Sequence, residues 1–182
     1  MTRRILRFRV IWVALAAMIA MLLAGCGGSS DSEGAPLAAN PAPDFELVLF
    51  GNEDHAEGEV VRLSELAGTP VVLNFWFPSC SPCRAEMPDI EASFQRHKGD
   101  GVRFVGVTNL ALDTADDARE FIAEIGVTYS LGPDTHGTIM RAYDISGFPS
   151  TVFIDREHNF VRQWTGILNE EKLEELIQEM LN

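Results

Sequence analysis

The stretch VVLNFWFPSCSPCRAEMP, residues 71–88, decides the fold of this 182-residue chain. Its first part, Val71–Phe77, is a nearly continuous apolar run, which is typical of a β-strand buried on both faces. A helix is predicted from Cys80 to about His97, with a kink expected at Pro88. A buried strand that leads directly into a helix indicates a layered α/β domain.

Apolar segments on either side of this stretch alternate between strand and helix character, which predicts an α/β domain with a mixed central sheet. Thr114 and Asp117 have the spacing of a capping pair, so a helix is expected there, ending at Gly126. A last amphipathic helix is expected after Asn169. The remaining predictions are strands at 45–49, 60–63, 102–108, 150–155 and 160–165, a helical turn at 64–68 and a short helix around 137–143.

The N-terminal segment is predicted to direct export. Four arginines precede the unbroken apolar run Val10–Ala24, which is as long as the core of a signal peptide and short for a membrane-spanning helix. The run ends in Leu-Ala-Gly-Cys26, which resembles the bacterial lipoprotein signal, in which cleavage precedes the cysteine and its sulfur is lipidated. An uncleaved anchor helix is the alternative. Either interpretation places the rest of the chain outside the cytoplasm, where disulfides can form.

Three regions are therefore expected: a signal peptide over residues 1–25, a lipidated cysteine with a flexible tether over 26–42, and a folded domain over 43–182. Small, polar and proline residues dominate the tether. Without residues 1–25 the chain carries 10 Lys and Arg against 27 Asp and Glu. A surface this acidic repels phosphate backbones, so nucleic acid is excluded as a main partner, and the membrane is reached through the lipid anchor.

With Cys26 assigned to lipid, the remaining cysteines are Cys80 and Cys83, spaced Cys-x-x-Cys at the start of the predicted helix. The first turn of a helix carries unpaired amides and the positive end of the helix dipole, and both stabilise a thiolate. We therefore expect Cys80 to be the exposed nucleophile. Cys83, one turn later, is expected to be more buried and to close or open a disulfide with it.

Other chemistry for this cysteine pair finds less support in the sequence. A structural zinc site needs four ligands, and the chain has no second cysteine pair. Covalent haem attachment would need a histidine where Arg84 stands. We therefore expect no metal and no cofactor, whereas a purely structural disulfide remains the alternative. The histidines are scattered along the chain and are expected on the surface: His55, His97, His136 and His158.

The segments Asn74–Pro88 and Gly147–Thr151 resemble the active-site sequences of the TlpA/ResA group of membrane-anchored, thioredoxin-like reductases. The resemblance covers residues 43–182 and implies a thioredoxin-like fold, with helices on both faces of the mixed sheet. One position departs from the family pattern, because Ser79 stands where a tryptophan usually precedes the first cysteine. The usual aromatic wall of the site is therefore missing at this position, and Trp76 is expected in the core.

The resemblance also implies roles for further residues. On the residues alone, Gly147–Thr151 is only a turn before a strand. The resemblance implies a cis peptide bond before Pro149 and a groove for protein substrates at the redox pair, lined by Ser81, Pro82, Phe148 and Pro149.

Glu86 follows Cys83 by three residues and is expected on the same face of the helix. Position alone is equally consistent with an exposed glutamate near a helix N-terminus. The resemblance implies instead a buried acid near the second cysteine. Such an acid would give and take the proton of Cys83, which requires a pKa raised by burial.

We therefore expect an extracytoplasmic thiol-disulfide oxidoreductase that reduces exported proteins, and the resemblance implies the haem-site cysteines of apocytochrome c as one substrate class. A membrane electron donor of the thiol-transporter type would restore the dithiol. A peroxiredoxin-like peroxidase is a second hypothesis, although its Pro-x-x-x-Thr/Ser-x-x-Cys motif is absent, because Leu73 and Phe77 occupy those positions. A non-catalytic tethered binding domain with a structural disulfide is the third.

The lipid anchor leads to the first testable prediction. Cys26→Ala should abolish incorporation of labelled fatty acid and block lipoprotein processing, because the acyl-bearing sulfur is lost. Cys83→Ala is the matched control, which should remain labelled because it keeps Cys26. Fatty acid labelling in the Cys26→Ala protein would contradict the assignment.

Overall fold

The apolar run of the sequence forms the central strand, β3 (Val71–Trp76), in which every residue is buried. Alternate side chains of a strand point to opposite faces of the sheet. Val72 and Trp76 accordingly belong to one hydrophobic core, and Val71 and Phe75 belong to a second. The strand is therefore covered on both sides, as its continuous hydrophobicity predicts.

The computed structural model describes residues 40–182. The predicted signal peptide, Cys26 and the predicted tether up to residue 39 lie outside these residues. Within the described part, the other strands are β1 (Glu46–Val48), β2 (Val60–Arg62), β4 (Arg103–Thr108), β5 (Ser130–Pro133), β6 (Ser150–Ile154) and β7 (Phe160–Thr165). The α-helices are α1 (Ser81–His97), α2 (Ala115–Ile125), α3 (Thr138–Ala142) and α4 (Glu170–Leu181), and short 3-10 helices lie at Leu63–Leu66 and Lys98–Asp100.

The central sheet has the strand order β5-β4-β3-β6-β7. β3 is parallel to β4 and antiparallel to β6, so the sheet is mixed, as predicted. Buried residues of α1, α2 and α4 join the core on one face. On the other face, α3 and the antiparallel hairpin of β1 and β2 enclose the second core. The helices therefore flank the sheet on both faces.

Capping side chains start the helices where the sequence predicts them. The Thr114 hydroxyl accepts a hydrogen bond from the Asp117 N–H, the Asp117 carboxylate accepts one from the Thr114 N–H, and Gly126 ends α2 in the left-handed conformation. The Asn169 side chain caps α4 by accepting a hydrogen bond from the Lys172 N–H. These contacts are local, which is why sequence spacing alone predicts them.

Strand β5 is missing from the sequence prediction. Its four residues end in Gly132 and Pro133, two residue types that are depleted in strands, and they show no alternating pattern. Parallel pairing with β4 creates this strand, because it supplies hydrogen-bond partners that the local sequence does not reveal. β5 is thus a product of tertiary structure.

The expectation that the histidines lie on the surface is wrong for His97, which is 8% exposed. Its Nε2 atom lies 2.8 Å from the Glu174 carboxylate, which joins the end of α1 to α4. The Ser93 hydroxyl and the Arg96 guanidinium donate to the same carboxylate. This partner is 77 residues away in sequence, so the burial of His97 depends on the packing of the two helices.

The first residues that the structure describes pack against the turn between β6 and β7. The Phe160 N–H donates to the Asn40 carbonyl at 2.7 Å, and the Ala42 N–H donates to the His158 carbonyl at 2.9 Å. Residues 40–42, which the sequence analysis assigns to the tether, therefore lie on the domain. Within residues 40–182, no helix combines the length and hydrophobicity needed to cross a membrane.

The edge strand β5 lies directly under β1, and this close approach depends on Gly132. A Cβ atom at Gly132 would overlap the Val48 carbonyl oxygen and would lie 2.8 Å from Cγ of Leu47. A hydrogen bond from the Phe50 N–H to the Leu131 carbonyl, 2.8 Å long, holds the two segments together. The absent side chain thus allows the hairpin to cover the sheet edge.

We predict that Gly132→Ala destabilises the domain by about 1–3 kcal/mol, because the added methyl must displace backbone. Gly99→Ala is the matched control, since no atom lies within 4 Å of a Cβ built there. Chemical denaturation of both variants measures the difference. Equal free energies of unfolding for the two variants would contradict the close-approach argument.

Candidate active site

The two cysteines form a disulfide at the N-terminus of α1. The S–S bond between Cys80 and Cys83 is 2.05 Å long, and the Cα atoms are 5.2 Å apart. Cys80 is the N-cap residue of the helix, and its Sγ accepts a hydrogen bond from the Cys83 N–H at 3.2 Å. A sulfur at this position faces unpaired helix amides and the positive end of the helix dipole, which favour a thiolate after reduction.

The two sulfurs differ in access to solvent. Cys80 is 5% exposed and Cys83 is fully buried. The expected order is therefore observed, but in this oxidised form Cys80 is nearly buried rather than openly exposed, because its side chain turns in to cap the helix. Ser81 and Pro82, between the cysteines, are exposed. These two residues are therefore the solvent-exposed part of the segment that holds the disulfide.

The loop before β6 lies at the same end of the sheet as the disulfide. β6 runs antiparallel to β3, and Ser150 pairs with Phe75 near the end from which β3 leads to Cys80. The Phe148–Pro149 peptide bond is cis, and the Pro149 carbonyl accepts a hydrogen bond from the Gly166 N–H at 2.9 Å. The topology thus brings two segments together that are separated by about 65 residues in sequence.

An aromatic pair joins these two segments: Phe148 was expected in the groove, whereas Phe77 was not expected at the site. The rings of Phe77 and Phe148 meet edge to face with centroids 5.2 Å apart, and both side chains are only partly buried. Phe77 ends the apolar run of β3, so its sequence pattern indicated only core packing. The pair provides aromatic surface beside a redox site that has no tryptophan directly before Cys80.

Ser79, which directly precedes Cys80, forms hydrogen bonds with the loop before α2. Its hydroxyl donates to Oδ2 of Asp113 at 2.9 Å, and its N–H donates to the same oxygen at 3.3 Å. Asp113 carries no recognisable sequence signal, since it lies in an irregular loop 34 residues away. The segment that leads into Cys80 is therefore held by a polar contact.

A carboxyl group is buried one turn after Cys83. Glu86 is 1% exposed, so it is not the solvent-exposed residue that its position near a helix N-terminus also allowed. Its Oε2 accepts a hydrogen bond from the Leu168 N–H and its Oε1 accepts one from the Asn74 side chain, each 3.0 Å long. Burial raises the pKa of Glu86 to about 7, against the opposing effect of these two hydrogen bonds, and the charge of Asp89 adds to the rise.

Asn74 is a member of the site that the sequence analysis passed over. It is the one polar residue in the strand VVLNFW, and it is 1% exposed. A polar side chain in an otherwise apolar buried strand was the available signal, because such a group must find a hydrogen-bond partner.

No three His, Cys, Asp or Glu side chains within residues 40–182 are placed to hold a metal ion.

The sequence model of the AhpC/TSA family matches residues 38–163, which is more than half of the chain. The thiol-disulfide oxidoreductase ResA of Oceanobacillus iheyensis is 30% identical over 172 residues, covering 94% of this chain and 86% of the relative. ResA of Bacillus subtilis is 33% identical over 144 residues, covering 79% of this chain and 73% of the relative.

A solved structure agrees with these relatives. The crystal structure of a putative thiol:disulfide interchange protein DsbE from Chlorobium tepidum superposes with a TM-score of 0.67 and is 30% identical. The match covers 78% of this chain and 93% of the other. With its mixed sheet, its flanking helices and a disulfide at the start of the first helix, the chain belongs to the AhpC/TSA family and is a ResA/TlpA-like, thioredoxin-fold thiol-disulfide oxidoreductase.

Proposed function

We propose that this oxidoreductase reduces disulfides of exported proteins, with Cys80 as the attacking thiol, Cys83 as the resolving thiol and Glu86 as the proton acceptor of Cys83. The observation that carries the proposal is a carboxyl group that is buried one helical turn after Cys83, with its pKa raised to about 7. A group of this kind changes its charge near neutral pH, which suits proton transfer to and from a buried thiol.

The reaction begins with the reduced protein. The Cys80 thiolate, stabilised by the helix amides, attacks one sulfur of the substrate disulfide. A mixed disulfide between Cys80 and the substrate forms, and the other substrate sulfur leaves as a thiolate that takes a proton from water. The greater accessibility of Cys80 supports its assignment to this step.

Cys83 then completes the exchange. Its thiol gives its proton to the Glu86 carboxylate, and the resulting thiolate attacks the Cys80 sulfur. The Cys80–Cys83 disulfide closes, and the second substrate sulfur leaves and is protonated. Glu86 then returns its proton to water, and the Cys80 proton was released to water when the thiolate formed. Counted from the dithiol, the protein therefore loses two electrons and two protons, and the substrate disulfide gains two electrons and takes two protons from water.

A dithiol must then reduce the protein again, and we assign this role to a membrane electron donor of the thiol-transporter type. We place the substrate groove at Ser81, Pro82, Phe148 and Pro149. The exposed surface of Ser81 and Pro82 and the partly exposed ring of Phe148 support this placement, whereas Pro149 is buried. Cysteines of apocytochrome c are the substrate class that we favour, on the resemblance to the TlpA/ResA group.

We propose further that Cys26 anchors the protein by lipid on the extracytoplasmic side of the cell membrane. The place where the chain enters the domain supports this arrangement. Asn40 lies beside Phe160, at the start of β7, whereas the end of β7 lies beside Ser150 and the redox site. A tether that enters at the opposite end of the sheet leaves the disulfide free to meet protein substrates.

Trapping of mixed disulfides tests the order of attack. A Cys83→Ser variant, expressed in its native envelope, should carry partner proteins on Cys80 that dithiothreitol releases, because the resolving thiol is missing. Cys80→Ser should carry few or none, and the double variant provides the background. Trapping by Cys80→Ser alone would reverse the two roles. Failure of both variants, with a wild-type disulfide that resists mild thiols, would show that the disulfide is structural.

The pH dependence of stability tests the buried carboxyl. The pKa of Glu86 is about 7 in the folded protein and is near 4.5 when the side chain is exposed. The folded state therefore binds the Glu86 proton more tightly than the unfolded state. The stabilisation from this proton is fully present below pH 4.5 and is lost as the pH rises through 7. We predict that the free energy of unfolding of the oxidised protein falls by about 2–3 kcal/mol from this group between pH 4.5 and 8.

Glu86→Gln should flatten this slope, because the amide does not ionise. Glu120→Gln, which changes an exposed glutamate of α2, is the matched control and should keep the slope of the wild-type protein. Urea denaturation at a series of pH values measures both. An unchanged slope in the Glu86→Gln protein would remove Glu86 as the titrating group.

A further inference from the structure

Asn74 occupies a place where a polar side chain is costly. It lies in the centre of the sheet, between neighbours that are fully buried, and its amide has no access to solvent. Its Nδ2 donates to Oε1 of Glu86 at 3.0 Å and to Oγ1 of Thr151 at 3.1 Å. Its Oδ1 is buried without a hydrogen-bond partner in the described part of the chain. An apolar residue would avoid this unpaired oxygen but would leave Oε1 of Glu86 without its donor, so the asparagine is explained by the carboxyl that it pairs with.

The contacts of Asn74 link the buried acid to the strand that follows the cis proline. Thr151 is the register partner of Asn74 across β3 and β6, and it lies two residues after Pro149. Glu86 reaches the same amide from α1. The amide thus joins the two segments that form the redox site, on the side away from solvent.

We propose that Asn74 is a positioning residue that orients the Glu86 carboxyl and favours its ionised form, so that Glu86 can accept the proton of Cys83. This inference rests on the proposed function. Both carboxyl oxygens of Glu86 face N–H donors, one from Asn74 and one from Leu168. Donors stabilise the carboxylate and oppose the protonated acid, which needs an acceptor for its O–H.

The unpaired Oδ1 atom offers such an acceptor after proton transfer. Rotation of the Asn74 amide by half a turn would direct Oδ1 towards Glu86 and towards Thr151. A protonated Glu86 would then donate to Oδ1, and the Thr151 hydroxyl, which both donates and accepts, would change from acceptor to donor. The rotation keeps two hydrogen bonds and leaves the two N–H groups of Nδ2 without partners in place of Oδ1. Asn74 and Glu86 can therefore form a hydrogen bond with each other in both protonation states of Glu86, without movement of the backbone.

The other groups around Glu86 leave this role to Asn74. Asp89, on the same helix, opposes ionisation through its negative charge. Burial raises the pKa of Tyr129 well above its usual value, as do the charges of Glu86 and Glu91, so its phenol stays neutral. The loop before α4 contributes the Leu168 N–H, and β6 contributes the neutral Thr151. Asn74 is the side chain in this set that donates directly to the carboxylate.

The test measures the Glu86 carboxyl in oxidised protein by ¹³C NMR, with the signal assigned from its loss in Glu86→Gln. Asn74→Leu keeps the side-chain size and removes the donor, so the midpoint should rise by about one pH unit. Thr151→Val is the matched control, which removes the second partner of Asn74 but keeps its bond to Glu86. It should shift the midpoint less. Asn74→Ala replaces Asn74→Leu if the branched apolar side chain of leucine prevents folding.

The pH profile of insulin disulfide reduction provides a second readout, which a merely structural role would not move. The profile of Asn74→Leu should shift to higher pH with the Glu86 midpoint. In a Glu86→Gln background, Asn74→Leu should produce no further shift, because Asn74 acts through Glu86. A midpoint that stays or falls in folded Asn74→Leu and Asn74→Ala proteins would overturn the inference.

The two readouts separate this inference from the proposed function. The Glu86 midpoint is measured without substrate, so an unmoved midpoint in a protein that still reduces insulin overturns the role of Asn74 alone. If the Glu86 midpoint rises in Asn74→Leu, the contact between Asn74 and Glu86 is supported. If, at the same time, the wild-type protein reduces no disulfide, the proposed function is overturned.

Discussion

The hydrogen bonds around the buried Glu86 carboxyl connect four segments of the chain near the redox site. Glu86 comes from α1, Asn74 from the central strand, and the Leu168 N–H from the loop before α4. Thr151 of β6 joins them through Asn74. Burial of a carboxyl is unfavourable unless its oxygens are satisfied, so these elements must meet with the right geometry. The same environment leaves the carboxyl with a pKa of about 7. The constraint that organises the core therefore also provides the proton acceptor that we propose.

The disulfide uses a different property of the same helix. At the start of α1, Sγ of Cys80 accepts the Cys83 N–H, and in the reduced protein a thiolate there would face the positive end of the helix dipole. One turn later the interior is apolar apart from the Glu86 network. An electrostatically favoured position for the first sulfur and a buried position for the second thus lie one turn apart. This difference underlies the division into attacking and resolving thiols.

Local patterns predicted much of the fold and the centre of the site. The apolar run 71–77, the capping pair of α2 and the Cys-x-x-Cys at a helix start all depend on contacts within a few residues. The prediction from sequence was incomplete or wrong where contacts with residues distant in sequence decide whether a strand forms or a side chain is buried. β5 exists because β4 pairs with it, and His97 is buried because Glu174 approaches from α4. Asn74 was visible as an isolated polar residue, but its partners are 12 and 77 residues away.

The sequence by itself determined the alternation of strands and helices and the position of the cysteine pair, because hydrophobic periodicity and helix capping act over one or two turns. It also limited the chemistry, since Cys80 and Cys83 are the cysteines left to the folded domain. Only the tertiary structure decided that Glu86 is buried rather than exposed, that Phe148 meets Phe77, and that Ser79 is held by Asp113. These outcomes depend on which distant segments meet around a side chain, and the free energy of burying a charge or a ring is set by those neighbours.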